Sequence, residues 1–332
     1  MMKNRGFTLI ELLGVIVILG VIAAFSVPAV TKMLKETSDK EYEEFAKSIT
    51  LAAENYFHNE TDGVLNTKRF IKVEQLISSG YLKKTINPLT NEELSNSSTI
   101  VVSKNLNGTE KYEFVDKDLT IDGYVKNNLT VLYDGYNKPA NNIWTDLSGN
   151  GNDGVLTNFS SPWDNNGIQF DGIDDYIKTT QVSSFPSGNS QYTLEISFYC
   201  DTLKERNNLI NLGIYESAGN ANGIYIYESN KISHWYWNNN LVTSPLLENK
   251  RGYTITALYD GKNRKIYLNG KQKAVDAVSP NVVLGNVTIG DEIPGQDGYF
   301  NGKVYSVRIY NRGLTDSEVY ENYIIDKYRF DI

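Results

Sequence analysis

From Phe7 to Thr31 the chain carries a single ionisable side chain, Glu11, within a run of Leu, Ile, Val, Ala and Gly. About 20 such residues, as a helix, cross the roughly 30 Å hydrocarbon core of a bilayer. A secretory signal has a shorter apolar region with a small-residue cleavage site after it. Here Gly6 comes before the run, beside the basic residues Lys3 and Arg5. A carboxylate placed in such a helix costs roughly 2.5–3.5 kcal/mol on insertion scales, which marks it as functional with a partner of its own. A cut after Gly6 would give Phe7 a free ammonium group. Glu11 would then lie about one helical turn away, within reach of its own terminus or of a neighbour's in a stack of helices. The competing explanation is an ordinary signal anchor that tolerates one Glu near its end.

The stretch Gly6-Phe7-Thr8-Leu9-Ile10-Glu11-Leu12-Leu13 resembles the class III signal of type IV prepilins and pseudopilins nearly residue for residue. In that family a membrane peptidase cuts after the Gly and methylates the new terminal Phe, and the Glu guides subunit docking in the filament. The resemblance therefore implies cleavage between Gly6 and Phe7, methylation of Phe7, an assembly role for Glu11 and a helix kink at Pro28. Its implied partners are a prepilin peptidase, the inner membrane and other pilin subunits in a homo- or hetero-filament. The implied location is the cytoplasmic membrane before assembly and an extracellular pilus afterwards. Lys32 and Lys35 weaken the positive-inside bias set by Lys3 and Arg5.

Behind the span the pattern turns amphipathic. Tyr42, Phe45, Ala46, Ile49, Ala52, Ala53 and Tyr56 recur at helical spacing, with Glu43, Glu44, Lys47 and Glu54 on the other face. One long helix is expected to about residue 58, weakened at Gly14, Gly20 and Pro28. A short helix ended by Gly80 follows. Thr99–Val102 and Lys111–Val115 then form a hairpin through Asn105-Leu106-Asn107-Gly108. A helix plus a small sheet is the arrangement of a pilin head.

From about Thr130 short alternating segments run between Gly, Asn and Asp turns. Tyr192, Leu194, Ile196, Phe198 and Cys200 share one strand face, with Thr193, Glu195 and Ser197 opposite. Tyr305, Val307 and Ile309 are expected opposite Ser306, Arg308 and Tyr310. Asp260-Gly261-Lys262-Asn263 marks a hairpin, and Thr315 with Glu318 a capping box for a last helix. Many short strands at this spacing predict a β-sandwich. Four phrases resemble the concanavalin A-like, laminin G-like lectin family: Trp144 to Gly154, Phe170 to Tyr176, Tyr267 to Lys271, and Phe300-Asn301-Gly302-Lys303 running on to Arg312. The expected fold class is α+β multidomain: a long N-terminal helix with a small pilin sheet, then an all-β jelly-roll sandwich. The expected division is a leader at 1–6, a membrane and filament helix at 7–58, a pilin head at 59–128 and the sandwich at 129–332.

Forty acids against 32 bases give a net charge of −8 with no basic cluster, which argues against a nucleic-acid surface. A lone cysteine, Cys200, excludes an intrachain disulfide, a departure from many pilins. The two histidines are His58, on the stalk, and His234. Glu195 stands alone on its strand, without the alternating acids of jelly-roll glycosidases, so a non-enzymatic protein is expected. Asp146, Asp153, Asp171, Asp174, Asp175 and Asp291 fall in loops of the kind that hold calcium, which some relatives implied by the resemblance bind. Asx and left-handed turns would explain the same residues. In His234-Trp235-Tyr236-Trp237, Trp235, Tyr236 and Trp237 are candidate platforms for a sugar ring, or core and flank of one strand. The reading is a minor or tip pilin displaying a lectin-like module for a glycan or host protein. Its rivals are a pseudopilin whose sandwich binds cargo in a secretion or DNA-uptake system, and a membrane-anchored carbohydrate enzyme.

Overall fold

A computed structural model describes residues 9–60, 65, 68–105, 107–180, 185–213, 220–227, 230–236, 239–290 and 298–332. The expected cleavage pair, Gly6 and Phe7, lies outside the described residues, as do Trp237 and Asp291. The chain divides into two compact units, residues 1–118 and 119–332.

In the first unit, helix α1 (Leu9–Glu60) runs without a break through Pro28. Its N-terminal half is apolar on all sides and exposed, with Leu9, Ile16, Phe25 and Leu34 more than half accessible. It is long and apolar enough to cross a membrane. Glu11 lies within it. Toward its C-terminal end one stripe, Ile49, Ala52, Ala53 and Phe57, is buried. That stripe packs on an antiparallel sheet of β1 (Arg69–Lys72), β2 (Thr99–Lys104) and β3 (Glu110–Val115), in that order, through Ile71, Ile100 and Val102. Helix α2 (Val73–Ser78) closes the core with Val73 and Leu76 and ends, as its sequence predicts, at Gly80 with φ +79°.

The second unit is a two-layer sandwich. Its strands begin with β4 (Leu129–Asp134), β5 (Ile143–Trp144), β6 (Gly154–Thr157), β7 (Ile168–Asp171) and β8 (Tyr176–Thr179). They continue through β9 (Tyr192–Cys200), β10 (Arg206–Gly213), β11 (Ala221–Tyr227), β12 (Lys231–Tyr236) and β13 (Asn239–Pro245). The last are β14 (Arg251–Tyr259), β15 (Asn263–Leu268), β16 (Lys271–Ala277), β17 (Val287–Ile289) and β18 (Asn301–Tyr310). One sheet has eight strands in the order β13-β12-β11-β10-β17-β8-β6-β5. The other has seven, β16-β15-β14-β9-β18-β4 with β7 also on β18. All of the strand pairs are antiparallel. Between the sheets sit Leu194, Ile196, Phe198, Ile224, Ile226, Ile255, Val307 and Ile309.

The units separate between Asp118 and Leu119, earlier than the 128/129 edge expected. Residues 119–128 pack with the sandwich: the Tyr124 hydroxyl donates to Asp326 at 2.6 Å, and Val125 N–H donates to the Asn322 amide oxygen at 3.0 Å. A polar segment without strand periodicity gives no sign of this anchoring. On β18 the expected face for Tyr305 is also corrected. A bulge between Val304 and Ser306 puts Val304 in the inter-sheet core, while Tyr305 stacks on Phe330 at 5.0 Å. The Asp260 hairpin forms as expected, its carboxylate accepting from the Lys262 and Asn263 amides while Gly261 takes φ +95°.

Candidate functional site

The sandwich has two outer faces, and each carries buried polar groups. On the seven-stranded sheet the face is covered by helix α3 (Asp316–Phe330), started by the Thr315/Glu318 capping box. Glu195, read from sequence as a lone acid, is here the partner of fully buried Arg308, whose Nε donates to it at 2.9 Å. The same guanidinium reaches both oxygens of Asp326, at 3.0 and 2.5 Å, and lies 4.3 Å from the centre of the Tyr124 ring. Thr256 and Asn322 donate to Glu195 at 2.9 and 2.7 Å, and Ser197 donates to Asp326 at 2.5 Å. Burial pushes the Glu195 carboxyl up, and Arg308 opposes it. Two carboxylates with one arginine between them and no solvent access form a lock between strand and helix. Sequence alternation finds Glu195 and Arg308 on the right faces. It does not pair them, because their contact joins strands more than a hundred residues apart.

The eight-stranded sheet turns a different surface outward. Three cross-strand rows run over β10, β11 and β12. The first is Arg206, Tyr227 and Lys231; the second Asn208, Tyr225 and Ser233; the third Asn211, Gly223 and Trp235. The first row is half-buried, the other two buried. The rings make a continuous stripe, Tyr227 against Tyr225 at 5.6 Å edge-on and Tyr225 against Trp235 at 6.3 Å, with Arg206 lying 5.6 Å over Tyr225. In the third row the indole N–H of Trp235 donates to Asn211 at 3.2 Å. A side chain at Gly223 would collide with that amide oxygen, so the position stays glycine. The second row differs. Asn208 and Ser233 are 0 % exposed, yet neither polar atom of the Asn208 amide nor the Ser233 hydroxyl has a hydrogen-bond partner. Leaving such a group unpaired costs about 1–3 kcal/mol.

At the first row the surface opens into a cleft of about 630 Å³ bounded by Gly172, Lys204, Glu205, Arg206, Tyr227 and Tyr299. The Lys204 ammonium is spent on the Gly172 carbonyl. Gly298 forms another part of the wall, and a Cβ there would run into the Asn208 amide nitrogen and meet Arg206 Cδ at 3.3 Å. The Asn208 amide therefore stands directly behind the cleft wall.

The sequence-derived candidates fall differently. Trp235 is buried at 3 % exposure in the row just described, and Tyr236 at 1 % faces the inter-sheet core. Tyr236 shares a 2.5 Å hydrogen bond with Tyr192, which also meets His234 at 2.8 Å. Neither is an open platform: the two do lie on opposite faces, as alternation predicts, but both sides of β12 are covered. Burial and the Arg264 charge hold His234 well below the usual histidine range, so it is neutral. Burial pushes the Cys200 thiol up to about 12, which leaves it a protonated core filler.

The acidic candidates separate into two groups. Asp146 accepts from the Leu132, Ser148 and Asn152 amides and from the Ser148 hydroxyl, and Asp153 accepts from the Asp146 amide. These two organise a turn, and both oxygens of Asp146 are occupied. Asp171, Asp174 and Asp175 do come together, with one carboxylate oxygen from each within 4.8 Å of the others. Asp175 closes the loop on the Asp171 amide at 2.9 Å, Asp171 accepts from Ile173 at 2.7 Å, and burial pushes Asp175 up to about 6. Loop closure accounts for this geometry, and a hard cation such as calcium would need further oxygens to complete its shell.

Protein-family comparison matches residues 171–320 to the concanavalin A-like lectin/glucanases superfamily and residues 1–27 to the prokaryotic N-terminal methylation motif. No curated protein matches the chain. Among solved structures, a Trypanosoma rangeli sialidase in complex with 2,3-difluorosialic acid superposes with TM-score 0.50 at 15 % identity, over 70 % of this chain and 44 % of that one. Domain 4 of AbnA, a GH43 extracellular arabinanase from Geobacillus stearothermophilus in complex with arabinotriose, superposes with TM-score 0.45 at 19 % identity, over 58 % of this chain and 97 % of that one. The chain spans less than half the length of the sialidases, and the likeness is one of fold. At its N-terminus the protein carries a prepilin methylation motif, and its sandwich is a concanavalin A-like domain of the laminin G type.

Proposed function

We propose that this protein is a type IV pilus subunit, minor or tip rather than major, that displays its sandwich as a glycan-binding adhesion module without enzymatic activity. The observation that carries the reading is the joining, in one chain, of a prepilin motif and an apolar helix to a lectin-type sandwich with a cleft backed by unpaired polar groups. The motif implies processing by a prepilin peptidase and assembly with other pilin subunits. The exposed apolar half of α1 suits first the membrane and then a filament core. A non-enzymatic role is supported by the engagement of the carboxylates: Glu195 and Asp326 are buried on Arg308, and Asp146 is saturated by amides. Most glycosidases use two carboxyl groups facing one open site, sialidases with a tyrosine nucleophile being an exception.

Surface filaments sheared from the native cell provide the test. The expected result is the mature chain in the filament fraction, beginning at methylated Phe7, well below the abundance of the major subunit. Recovery only in the membrane with residues 1–6 still attached would overturn the pilin reading. A sandwich at every subunit position would overturn the minor or tip assignment.

A further inference from the structure

The unpaired second row and the cleft in front of it are one feature. The first row, Arg206, Tyr227 and Lys231, is half-buried and contributes the cleft's Arg206 and Tyr227. Two residues further along each strand, about 7 Å inward, come Asn208 and Ser233, fully buried with their polar atoms unsatisfied. A sandwich that needed these positions only for packing would place apolar residues there. The inter-sheet side of the same strands does so over this stretch with Leu209, Ile224 and Ile226, and carries an unpaired amide of its own only farther along β11, at Asn222. An amide offers one acceptor and two donors, and a hydroxyl offers both roles. Such groups match a ligand whose own groups are also donor and acceptor at once. Beside them the Tyr227 ring gives a flat apolar wall, the mixed lining typical of small-molecule sites. Charge narrows the class. Lys204, Arg206 and Glu205 leave one net positive charge in the lining, and the acidic loop Asp171, Asp174 and Asp175, which carries the lining residues Gly172 and Ile173, offsets it, so the cleft has no strong preference for an acidic ligand.

We propose that this cleft and the row behind it bind an uncharged pyranose unit of a glycan, stacked on Tyr227 and hydrogen-bonded by Asn208. Asn208 is the deepest specifying group: it is 0 % exposed behind Gly298 and outside the cleft lining, so its hydrogen bond to the sugar requires the Gly298 backbone to move aside. Gly298 adopts φ +146°, and a Cβ there would press on the amide. The site rests on the glycan-binding reading above and gives it an address and a ligand class.

The full-length protein is solubilised in an amine-oxide detergent, since alkyl glycosides would themselves present sugars. It is applied to an array of neutral oligosaccharides ending in glucose, galactose, mannose or N-acetylhexosamines, with a sialylated set alongside. A bound neutral saccharide is then titrated calorimetrically into the wild type, Tyr227→Ala, Asn208→Leu and, as a remote exposed aromatic, Tyr320→Ala. The expected result is saturable binding of a neutral saccharide, weakened about tenfold or more by Tyr227→Ala and by Asn208→Leu and unchanged by Tyr320→Ala. Tyr227 is half-buried, so its variant keeps the fold even if the Asn208 variant does not. Equal affinity in the wild type and both site variants would overturn the site and leave glycan binding elsewhere intact. Binding of sialylated glycans alone would overturn the uncharged class. No binding by the wild type would overturn the site together with the glycan reading.

Discussion

The two outer faces of the sandwich bury polar side chains at similar depth and treat them in opposite ways. Beneath α3, Arg308 is matched by Glu195 and Asp326, and the remaining lone pairs are taken by Thr256, Asn322, Ser197 and Tyr124. On the eight-stranded sheet, Asn208 and Ser233 are equally dry and have no partner. The first arrangement is complete within the chain, so its energy goes into holding helix to sheet. The second is incomplete, so it costs stability unless something outside the chain completes it. Burial alone therefore does not distinguish the two faces; what distinguishes them is whether the chain supplies the partners and whether an unpaired group stands beside an open cleft.

The sharpest way to break this contrast is Arg308→Met. It leaves two buried carboxylates facing each other without their cation, and the expected loss is about 3–5 kcal/mol in a urea titration. A loss below about 1 kcal/mol would mean the lock is not structural. Next is Asn322→Ala, which removes one donor to Glu195 and one to the Tyr310 hydroxyl; the expected loss is about 1–3 kcal/mol by the same titration. Asn208→Leu should behave unlike both. It replaces an unpaired amide with an apolar side chain of similar volume, so stability should stay within about 1 kcal/mol of wild type or rise. A loss as large as that of Asn322→Ala would show that Asn208 is satisfied in solution and would erase the comparison.

The smallest effect concerns pH. The Arg312 hydrogen bond holds Glu318, in the first turn of α3, down at about 2. A folded-state value below the unfolded one, about 4.3, means stability that is present above pH 4.3 and lost as pH falls toward 2. The acid limb of the melting temperature against pH should therefore be shallower in Glu318→Gln than in wild type. An identical limb would remove the Arg312 contact from the account.

The long helix, the small head and the strands were legible because their signals are periodic and local. Ile49, Ala53 and Phe57 repeat at helical spacing and are buried on the sheet. Leu194, Ile196 and Phe198 alternate and point inward as expected. The site was much less legible. The aromatic motif at His234 to Trp237 drew attention to β12, and its described side chains are covered on both sides of the strand. The cleft instead takes Arg206 from β10, Tyr227 from β11 and Gly298 from a loop, joined only by sheet register. One usable signal was present: Arg206-Asn207-Asn208 and Asn211 put amides where a buried strand would carry Val or Ile. Of these three, Asn207 exchanges hydrogen bonds with Lys204 and Asn211 accepts from Trp235, so only Asn208 is left unpaired, and the sequence does not single it out.

The most direct test of the contrast is the melting temperature of the wild type and of Asn208→Leu, each with and without the neutral saccharide selected on the array. A ligand that completes the second row binds only the folded state and must raise its stability. The expected result is a clear upward shift for the wild type, little or none for Asn208→Leu, and equal or higher melting for the variant when no saccharide is present. A variant that melts well below wild type without saccharide, yet shifts upward with it as the wild type does, would place Asn208 among the structural groups and contradict the account.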